Sequence, residues 1–137
     1  MKIVVDEGAS IPIRAHATDA GLDLYATEGK MIYKGRSEVF DTGVHVALPP
    51  NTYGKIESKS GLNVNHGVVS CGGVIDEGYT GSIKVKLYNF GERHYRIRKG
   101  DKIAQLIVQP CLYEPVEIVG SLEETDRGDN GFGSTGR

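Results

Sequence analysis

The stretch from Gly72 to Gly81, GGVIDEGYTG, places a carboxylate and a phenol among glycines. Asp76 closes an apolar strand, and a carboxylate held at a strand end beside an apolar wall can act as a general base. The alternative is a hairpin that carries an aspartate in its loop, which is commoner among proteins in general. The turn itself does not need the two glycines before Val74. They would let another group approach the backbone closely.

A second stretch, ESKSGL at residues 57–62, combines a cation, two hydroxyl groups and a glycine before a possible helix start. Backbone N–H groups at such a start can bind an anion, and Lys59 would add positive charge. Ser60 could equally be an N-cap and nothing more, because serine is a preferred capping residue. The residues alone leave both interpretations open.

The chain ends in RGDNGFGSTGR, and GDNGFGST fits the phosphate-loop pattern G-x-x-x-x-G-[ST] without its lysine. A phosphate loop of that kind joins a strand to a helix, and too few residues follow Ser134 to form one. The ATPase interpretation therefore fails. A weaker inference remains, in which the glycine backbone, Arg127, Ser134 and Thr135 wrap a polyphosphate.

Two other polar features are less distinctive. Asp19 and Asp23 bracket Gly21 where a strand begins, and turn formation alone explains that pattern. Gln105 is the odd polar residue within an apolar strand. The four histidines have no metal-ligand spacing, so we expect no dedicated metal cage.

The elements that would position these residues are mainly β-strands. The sequence predicts about eight strands at roughly 10-residue spacing, which favours an all-β sandwich, jelly roll or barrel. The predicted strands are Lys2–Val5, Leu22–Ala26, Glu38–Leu48 with a bend near Gly43, Thr52–Ser58, HGVVSCGGVID, GSIKVKLYNF, KIAQLIVQPCL and PVEIVGS.

Three local predictions complete this outline. One short helical turn is expected at Ser60–Asn65 with Ser60 as its N-cap. Glu77–Gly81 is expected to connect two strands as a hairpin or wide turn. The hydrophobic pattern stops near Glu123, where a tail begins.

Size and composition narrow the possible functions. A chain of 137 residues predicts one domain, and the net charge of −2 argues against a nucleic-acid coat or a membrane-surface protein. Two cysteines are too few for a disulfide framework. The apolar run at the start is far too short for a signal peptide. A reduced cytoplasmic location is the expectation.

Taken together, the stretches resemble the homotrimeric deoxyuridine triphosphatase (dUTPase) family. Five motifs of that family occur in order: DAGLDLYA, ESKSGL, GGVIDEGYTGSIKV, GDKIAQLIV and RGDNGFGSTG. They run from residue 19 to residue 136, so the resemblance covers nearly the whole chain. Each motif alone is a weak signal, and five in order are a strong one.

The resemblance implies an all-β, distorted jelly-roll β-barrel over residues 1–122 and a flexible C-terminal arm over residues 123–137. It implies a homotrimer whose active sites lie at subunit interfaces and are closed by the arm. The reaction would convert dUTP and water to dUMP and pyrophosphate with Mg²⁺ on the triphosphate. That reaction supplies the dTTP precursor and keeps uracil out of DNA, with neither nucleic acid nor membrane as a partner.

The resemblance also implies a role for each matching residue. Asp76 would be the catalytic base, and Asp23 would support the magnesium ion through its waters. Tyr79 would pack on the deoxyribose, and Phe132 would stack on uracil. The remaining residues would contact the uracil edge (the backbone near Gly73 and Lys84) or the phosphates (Lys59, Ser60, Gly61, Gln105, Arg127, Gly133, Ser134 and Thr135).

One position departs from the family pattern. The second motif usually has Arg before Ser-Gly, where this chain has Lys59, and Lys offers a point charge rather than a bidentate fork. Two rival functions are a dCTP deaminase on a similar barrel and a non-catalytic nucleotide sensor. The short chain and the Ser-Gly form argue against the first. Asp76, Tyr79, Arg127 and Phe132 argue against the second.

Overall fold

The computed structural model describes residues 1–130, which form eleven β-strands and one short α-helix. This result confirms the all-β prediction. The strands are β1 (Lys2–Val5), β2 (Leu22–Tyr25), β3 (Lys30–Ile32), β4 (Ser37–Asp41), β5 (Val44–Ala47), β6 (Thr52–Ser58), β7 (Val68–Ser70), β8 (Val74–Ile75), β9 (Lys84–Asn89), β10 (Tyr95–Ile97) and β11 (Lys102–Pro110). The helix is α1 (Ser60–His66). None of the helices described is long and apolar enough to cross a membrane.

The largest sheet has the order β2-β11-β6-β8, and all of its pairs are antiparallel. Strand β11 lies in the middle, so Gln105 is opposite Asp23 on one side and Glu57 on the other. The sheet thus brings together strands that are far apart in the sequence. Each of its four strands carries or adjoins one of the polar stretches described above.

A second sheet has the order β4-β9-β7, and two further pairs, β1-β5 and β10-β3, complete the fold. The predicted bend in Glu38–Leu48 is confirmed, because the segment divides into β4 and β5 around Gly43. Gly43 has a φ of 63°, a left-handed conformation that strongly favours glycine. Because of this break, β4 pairs with β9 and β5 pairs with β1.

The core lies between these sheets and consists of aliphatic residues and Phe40. Strand β9 shows how the sequence specifies it: Ile83, Val85 and Leu87 are almost fully buried, and Lys84 and Lys86 are exposed. The predicted alternation is therefore confirmed. Burying each such aliphatic side chain contributes about 1.5–3 kcal/mol.

The predicted connection at Glu77–Gly81 is a wide turn. Strands β7 and β9 pair antiparallel, with Val68 opposite Asn89 and Ser70 opposite Leu87. The chain between them leaves this ladder, and β8 pairs instead with β6. The turn that carries Asp76 thus connects the four-stranded sheet to the three-stranded sheet.

The helix forms where predicted, but Ser60 as its N-cap is wrong. The helix begins at Ser60, and Lys59 is the N-cap residue, with an extended backbone and no side-chain cap hydrogen bond to any described residue. Strand β6 ends only at Ser58, so the extended residue that a cap requires is Lys59 rather than Ser60. The helix ends at Gly67, whose φ is 66°.

The predicted strand PVEIVGS is also wrong. Within the described chain, residues 111–122 form no strand and pair with no sheet. Four apolar side chains of this segment are more than four-fifths exposed, namely Leu112, Val116, Ile118 and Leu122. A strand needs a hydrogen-bonding neighbour, and the single chain does not offer this segment one.

Candidate active site

Gln105 is the point at which three of the sequence motifs meet. Its Nε2 donates a hydrogen bond to the backbone oxygen of Ser58 at 3.1 Å. A Cβ atom on Gly21 would lie 2.4 Å from Gln105 Oε1, so the first motif approaches this side chain as closely as glycine allows. The polar residue within β11 is thus explained as a link between strands β2 and β6.

Asp23 lies beside Gln105 and is only 3% exposed. The ammonium group of Lys59 is 2.5 Å from its Oδ1 atom, and that of Lys102 is 2.7 Å from its Oδ2 atom. None of the described residues donates a well-directed hydrogen bond to Oδ2. The Lys102 contact is therefore an ion pair. One buried carboxylate therefore lies between two cations.

The charge balance around Asp23 favours its ionised form. Burial alone would raise the pKa of this carboxyl group, because it disfavours the charged form. The ammonium groups of Lys102 and Lys59 outweigh burial and hold the pKa of Asp23 below its ordinary value. The reciprocal effect of the carboxylate raises the pKa of Lys102.

The other residues of the second motif lie at the start of α1. Ser60 and Gly61 are exposed on its first turn. The Lys59 side chain is 29% exposed, so its ammonium group is accessible although it is paired with Asp23. A cation, a hydroxyl group and backbone N–H groups thus face solvent together, which suits an anionic ligand.

Asp76 lies at the end of β8, exposed on the rim of a cleft of about 630 Å³. Its backbone oxygen accepts a hydrogen bond from Tyr79 N–H at 3.0 Å, which closes a tight turn. The cleft is lined by Tyr53, Val74, Asp76, Glu77, Gly78, Cys111 and Tyr113. A carboxylate beside an apolar wall at a strand end, as the sequence predicts, is therefore present.

The side chain of the neighbouring Glu77 holds this turn through two hydrogen bonds. Its Oε2 atom accepts hydrogen bonds from the backbone N–H of Asn51 and from the Tyr113 hydroxyl group, each at 2.8 Å. The hydrogen bond to the Glu77 carboxylate is the main cause that raises the pKa of Tyr113 to about 12. Tyr113 is therefore a neutral donor at physiological pH, and it holds the residue next to Asp76.

The Tyr79 side chain folds over its own turn. Its hydroxyl group donates a hydrogen bond to the Ser82 backbone oxygen at 3.0 Å, and a Cβ atom on Gly81 would lie 2.5 Å from that hydroxyl oxygen. Tyr79 remains 43% exposed. The ring is thus held in one position with part of its surface open to solvent.

The surroundings of Gly73 show why the second of the two residues before Val74 is a glycine. Its φ is 103°, and a Cβ atom there would lie 2.6 Å from the Cβ atom of Ile56. Its carbonyl group accepts a hydrogen bond from Ile56 N–H at 2.8 Å. The expected close approach is therefore confirmed at Gly73, and the approaching group is strand β6 of the same chain. It is wrong for Gly72, where no described atom would lie within 4 Å of a Cβ atom and the φ of 78° is what favours glycine.

A family model described as dUTPase matches residues 7–136. The chain belongs to the dUTPase family. Similar proteins include the deoxyuridine 5'-triphosphate nucleotidohydrolase of Clostridium acetobutylicum, 43% identical over 134 residues, which cover 96% of this chain and 92% of that protein. The mitochondrial enzyme of the same name from Homo sapiens is 41% identical over 133 residues, covering 97% of this chain and 53% of its own length.

Two solved structures extend the comparison. The dUTPase of Staphylococcus bacteriophage 80alpha with dUPNHPP superposes with a TM-score of 0.92 at 28% identity, covering 99% of this chain and 98% of that one. A mutant dUTPase from phage phi11 of S. aureus, whose structure shows the coordination of a structural Mg(II) ion, has a TM-score of 0.82 at 26% identity. That match covers 90% of this chain and 98% of the phage chain.

The fold gathers the predicted site residues of this family member into two groups. Asp23, Lys59 and Gln105 form one, with Ser60 and Gly61 beside them. Asp76 and Tyr79 form the other. Ile75 is opposite Gly54 on β6, so the next residue, Asp76, lies near Tyr53. Tyr53 precedes Lys59 by six extended residues, which separates Asp76 from Lys59 by roughly 20 Å. The single chain does not bring the two groups together.

The remaining predicted residues lie at the margins of the described structure. Lys84 is exposed at the start of β9, opposite Asp41. Arg127 is exposed, and its Nε atom donates to the Asn130 backbone oxygen at 3.2 Å. Four predicted ligands lie outside the described residues, namely Phe132, Gly133, Ser134 and Thr135.

Sequence reasoning missed three residues that support these groups: Lys102, Glu77 and Tyr113. The fourth motif contains Lys102, but nothing in its spacing places it against Asp23. Strand β11 has a register shift against β2 between Lys102 and Ala104. The shift leaves both Ile103 and Ala104 buried, which strict alternation would not predict.

Proposed function

We propose that this dUTPase-family protein hydrolyses dUTP to dUMP and pyrophosphate. The observation that carries the proposal is the family match over residues 7–136, which spans all five motifs. The curated relatives named for this reaction and the phage structure with dUPNHPP support the same substrate. The reaction would provide dUMP, the dTTP precursor, and remove a source of uracil in DNA.

Asp76 is the proposed general base, which orients a water molecule and removes its proton as it attacks phosphorus. Its exposed position on the cleft rim supports this role, because water and substrate can both reach it. Glu77, held by Asn51 and Tyr113, keeps the turn that carries Asp76 in place. A positioned base contributes typically about 10²–10⁴-fold to rate.

Tyr79 is proposed to pack against the deoxyribose. Its ring is held by the Ser82 carbonyl group and partly exposed, so it can present a rigid face to a sugar. A 2'-hydroxyl group would clash with that face, which would disfavour UTP.

Uracil recognition is assigned to backbone groups near Gly73 and Lys84, with Phe132 stacking on the base. The Gly73 carbonyl group accepts one hydrogen bond, from Ile56 N–H, and its second lone pair can still accept another from the base. A narrow pocket of this kind would exclude the thymine methyl group by shape and cytosine by its donor pattern.

The triphosphate is proposed to bind the other group of residues. Lys59 would leave Asp23 and pair with a phosphate oxygen, and Asp23 would keep its second partner, Lys102. The side chain of Gln105 is proposed to add a polar contact. The other proposed phosphate ligands are Ser60, Gly61, Arg127, Gly133, Ser134 and Thr135. Phosphoryl transfer depends mainly on such positioning and charge neutralisation.

Magnesium dependence is part of the proposal. Among the described residues there is no group of three or more His, Cys, Asp or Glu side chains that could hold a metal ion. A lone carboxylate such as Asp23 fits an ion that binds mainly to substrate phosphates and keeps several waters. Asp23 would accept hydrogen bonds from those waters, and the ion would neutralise phosphate charge.

We further propose a homotrimer of distorted jelly-roll barrels, with residues 1–122 as the barrel and 123–137 as an arm that closes each site. Two observations support shared sites: Asp76 lies roughly 20 Å from Lys59 within one chain, and residues 112–122 expose several apolar side chains. A sedimentation mass three times that of the chain would agree with the trimer. A monomeric mass would contradict it. The cytoplasmic location stays a prediction.

A comparison of dUTP, dCTP, UTP and dTTP under identical conditions with Mg²⁺ tests the proposed specificity. We expect pyrophosphate release from dUTP, with much slower release from the other three nucleotides. Ammonia released from dCTP would instead indicate the deaminase reaction. Equal rates with UTP would contradict the role of Tyr79.

A further inference from the structure

The chain that directly follows the Asp76–Gly81 turn is attached to the end of β4 and the start of β5. Ser82 Oγ donates a hydrogen bond to Asp41 Oδ1. Ile83 N–H donates to the Val44 backbone oxygen at 2.8 Å. These two attachments hold the chain after the turn.

A third attachment reaches the turn itself. The imidazole Nδ1 atom of His45 lies 2.8 Å from the Thr80 backbone oxygen. Thr80 directly follows Tyr79, so this contact is nearer to the proposed sugar-binding ring than the other two. The second ring nitrogen, Nε2, lies 3.3 Å from Asp6 Oδ1. His45 therefore links the end of strand β1 to the turn.

The chemistry of these contacts requires a particular form of the ring. A backbone carbonyl oxygen and a carboxylate oxygen only accept hydrogen bonds, so each ring nitrogen must carry a hydrogen to bond both. Neutral imidazole has one N–H group, and only the imidazolium ion has two. Both contacts can be hydrogen bonds only when His45 is protonated.

We propose that His45, as its imidazolium ion, is a positioning residue that holds the turn bearing Asp76 and Tyr79 through the Thr80 carbonyl group. The inference rests on the proposed function for the roles of Asp76 and Tyr79. His45 itself need not touch the substrate, and it acts through the backbone of the turn. The residue lies outside the five motifs, in strand β5 opposite Val4.

The surrounding charges favour the protonated ring. The hydrogen bond to Thr80 is the main cause that raises the pKa of His45 above its ordinary value. Burial opposes this shift, and Asp6 and Asp41 add to it. Lys2 lines the same cleft as His45 and Asp6. Since the pKa is raised, both contacts are present below the ordinary pKa. As pH rises through the folded-state pKa the ring loses one N–H group, and with it one of the two contacts.

Deprotonation leaves the ring bonded to Asp6 or to Thr80 but not to both, so it breaks the bridge that holds Thr80 to the end of β1. Loss of this bridge should loosen Tyr79 more than it alters the carboxylate of Asp76. We therefore expect the KM for dUTP to rise by about fivefold between pH 6 and pH 8.5, the factor that one ordinary hydrogen bond contributes. The kcat value should change less over the same range. Titration of the substrate phosphates is common to all variants and cancels in their comparison.

Two substitutions separate hydrogen bonding from titration. His45→Asn retains a donor near the Nδ1 position that does not titrate, so its KM should show none of the pH dependence attributed to His45. His45→Leu has no donor, so its KM should be high at both pH values. His94→Leu is the matched control, because the His94 ring accepts a hydrogen bond from Lys34 N–H rather than bonding the turn. It should keep the wild-type pH profile.

The decisive test is NMR of the full chain without substrate, so it does not depend on the proposed reaction. The backbone amide signals of Tyr79 and Gly81 should shift with pH in step with the His45 ring, and His45→Leu should abolish the shift. Amide signals that stay constant with pH, or that titrate unchanged in His45→Leu, would overturn the proposal. Failure to hydrolyse dUTP would affect only the proposed function.

Discussion

The ammonium group of Lys59 lies 2.5 Å from the Oδ1 atom of Asp23. The motif pattern assigns Lys59 to a phosphate group of the substrate. It assigns Asp23 to the water ligands of the magnesium ion. In the substrate-free chain each neutralises the other. On the proposed function, binding of the triphosphate would replace the carboxylate by a phosphate as the partner of Lys59, while Lys102 would stay available to Asp23.

Removing the Lys59 ammonium group should weaken substrate use. We expect Lys59→Ala to lower kcat/KM for dUTP by about 10- to 100-fold, since a hydrogen bond to a charged group is worth about 1.5–3 kcal/mol. Lys59→Arg should retain activity within a few-fold, because arginine is the residue usual at this motif position. Steady-state kinetics checks both, with Lys55→Ala on the preceding strand β6 as the control. A Lys59→Ala enzyme of full activity would remove this residue from the site.

Acid should destabilise the fold partly through Asp23. The pKa of Asp23 lies below its ordinary value, so its carboxylate contributes stability that is present above that value and lost as pH falls through the folded-state pKa. We expect Asp23→Asn to cost about 1–3 kcal/mol at pH 7. The decline of the unfolding free energy between pH 5 and pH 3 should also be shallower in this variant. Urea titrations measure both effects.

The control for that experiment is Asp126→Asn, which removes an exposed carboxylate near the end of the described chain. It should leave the pH dependence of unfolding unchanged. If Asp23→Asn and the wild type lose stability equally between pH 5 and pH 3, the ion pairs of Asp23 do not influence acid unfolding.

Asp76→Asn should separate catalysis from binding. The amide cannot accept a proton from water, so we expect kcat to fall by about 10²–10⁴-fold. The dissociation constant for dUPNHPP should stay within about twofold, because the amide has nearly the same shape. Calorimetry and product release measure the two quantities, and Glu7→Gln is the charge-matched control at an exposed position. An unchanged kcat would reject Asp76 as the base.

Deleting Arg127–Arg137 should abolish efficient turnover and leave the folded assembly intact. The deleted residues include Phe132, and base stacking alone is worth about 1–3 kcal/mol in single-strand binders. With the phosphate contacts also lost, we expect kcat/KM to fall by about 100-fold or more. Thermal unfolding and sedimentation should match those of the full chain. Full activity of the truncated protein would show that the arm is dispensable.

Much of the fold could be predicted from local pattern. The alternation of Ile83, Val85 and Leu87 with exposed lysines specified β9, and Gly43 marked the break between β4 and β5. Strands β3 and β10 were missed because each has only three residues, too few for a periodic signal. The apolar pattern of PVEIVGS predicted burial, but pattern cannot tell whether the partner is the same chain or another copy.

The site was predicted as a set of residues and not as an arrangement. The ion pair between Lys102 and Asp23 depends on pairing of β2 with β11 and on the register shift at Lys102, neither of which is encoded locally. The glycines before Asp76 predicted a close approach, but only the structure identifies Ile56 as the group involved. His45 was considered from the sequence only as a possible metal ligand, and its contact with Thr80 could not be predicted because the two residues are 35 positions apart.

Identification of the products formed from dUTP and Mg²⁺ tests the central claim most directly. The proposed hydrolysis yields dUMP and pyrophosphate in equal amounts, and turnover should be lost when magnesium is chelated. Formation of dUDP and inorganic phosphate, or no turnover with any amount of enzyme, would contradict it.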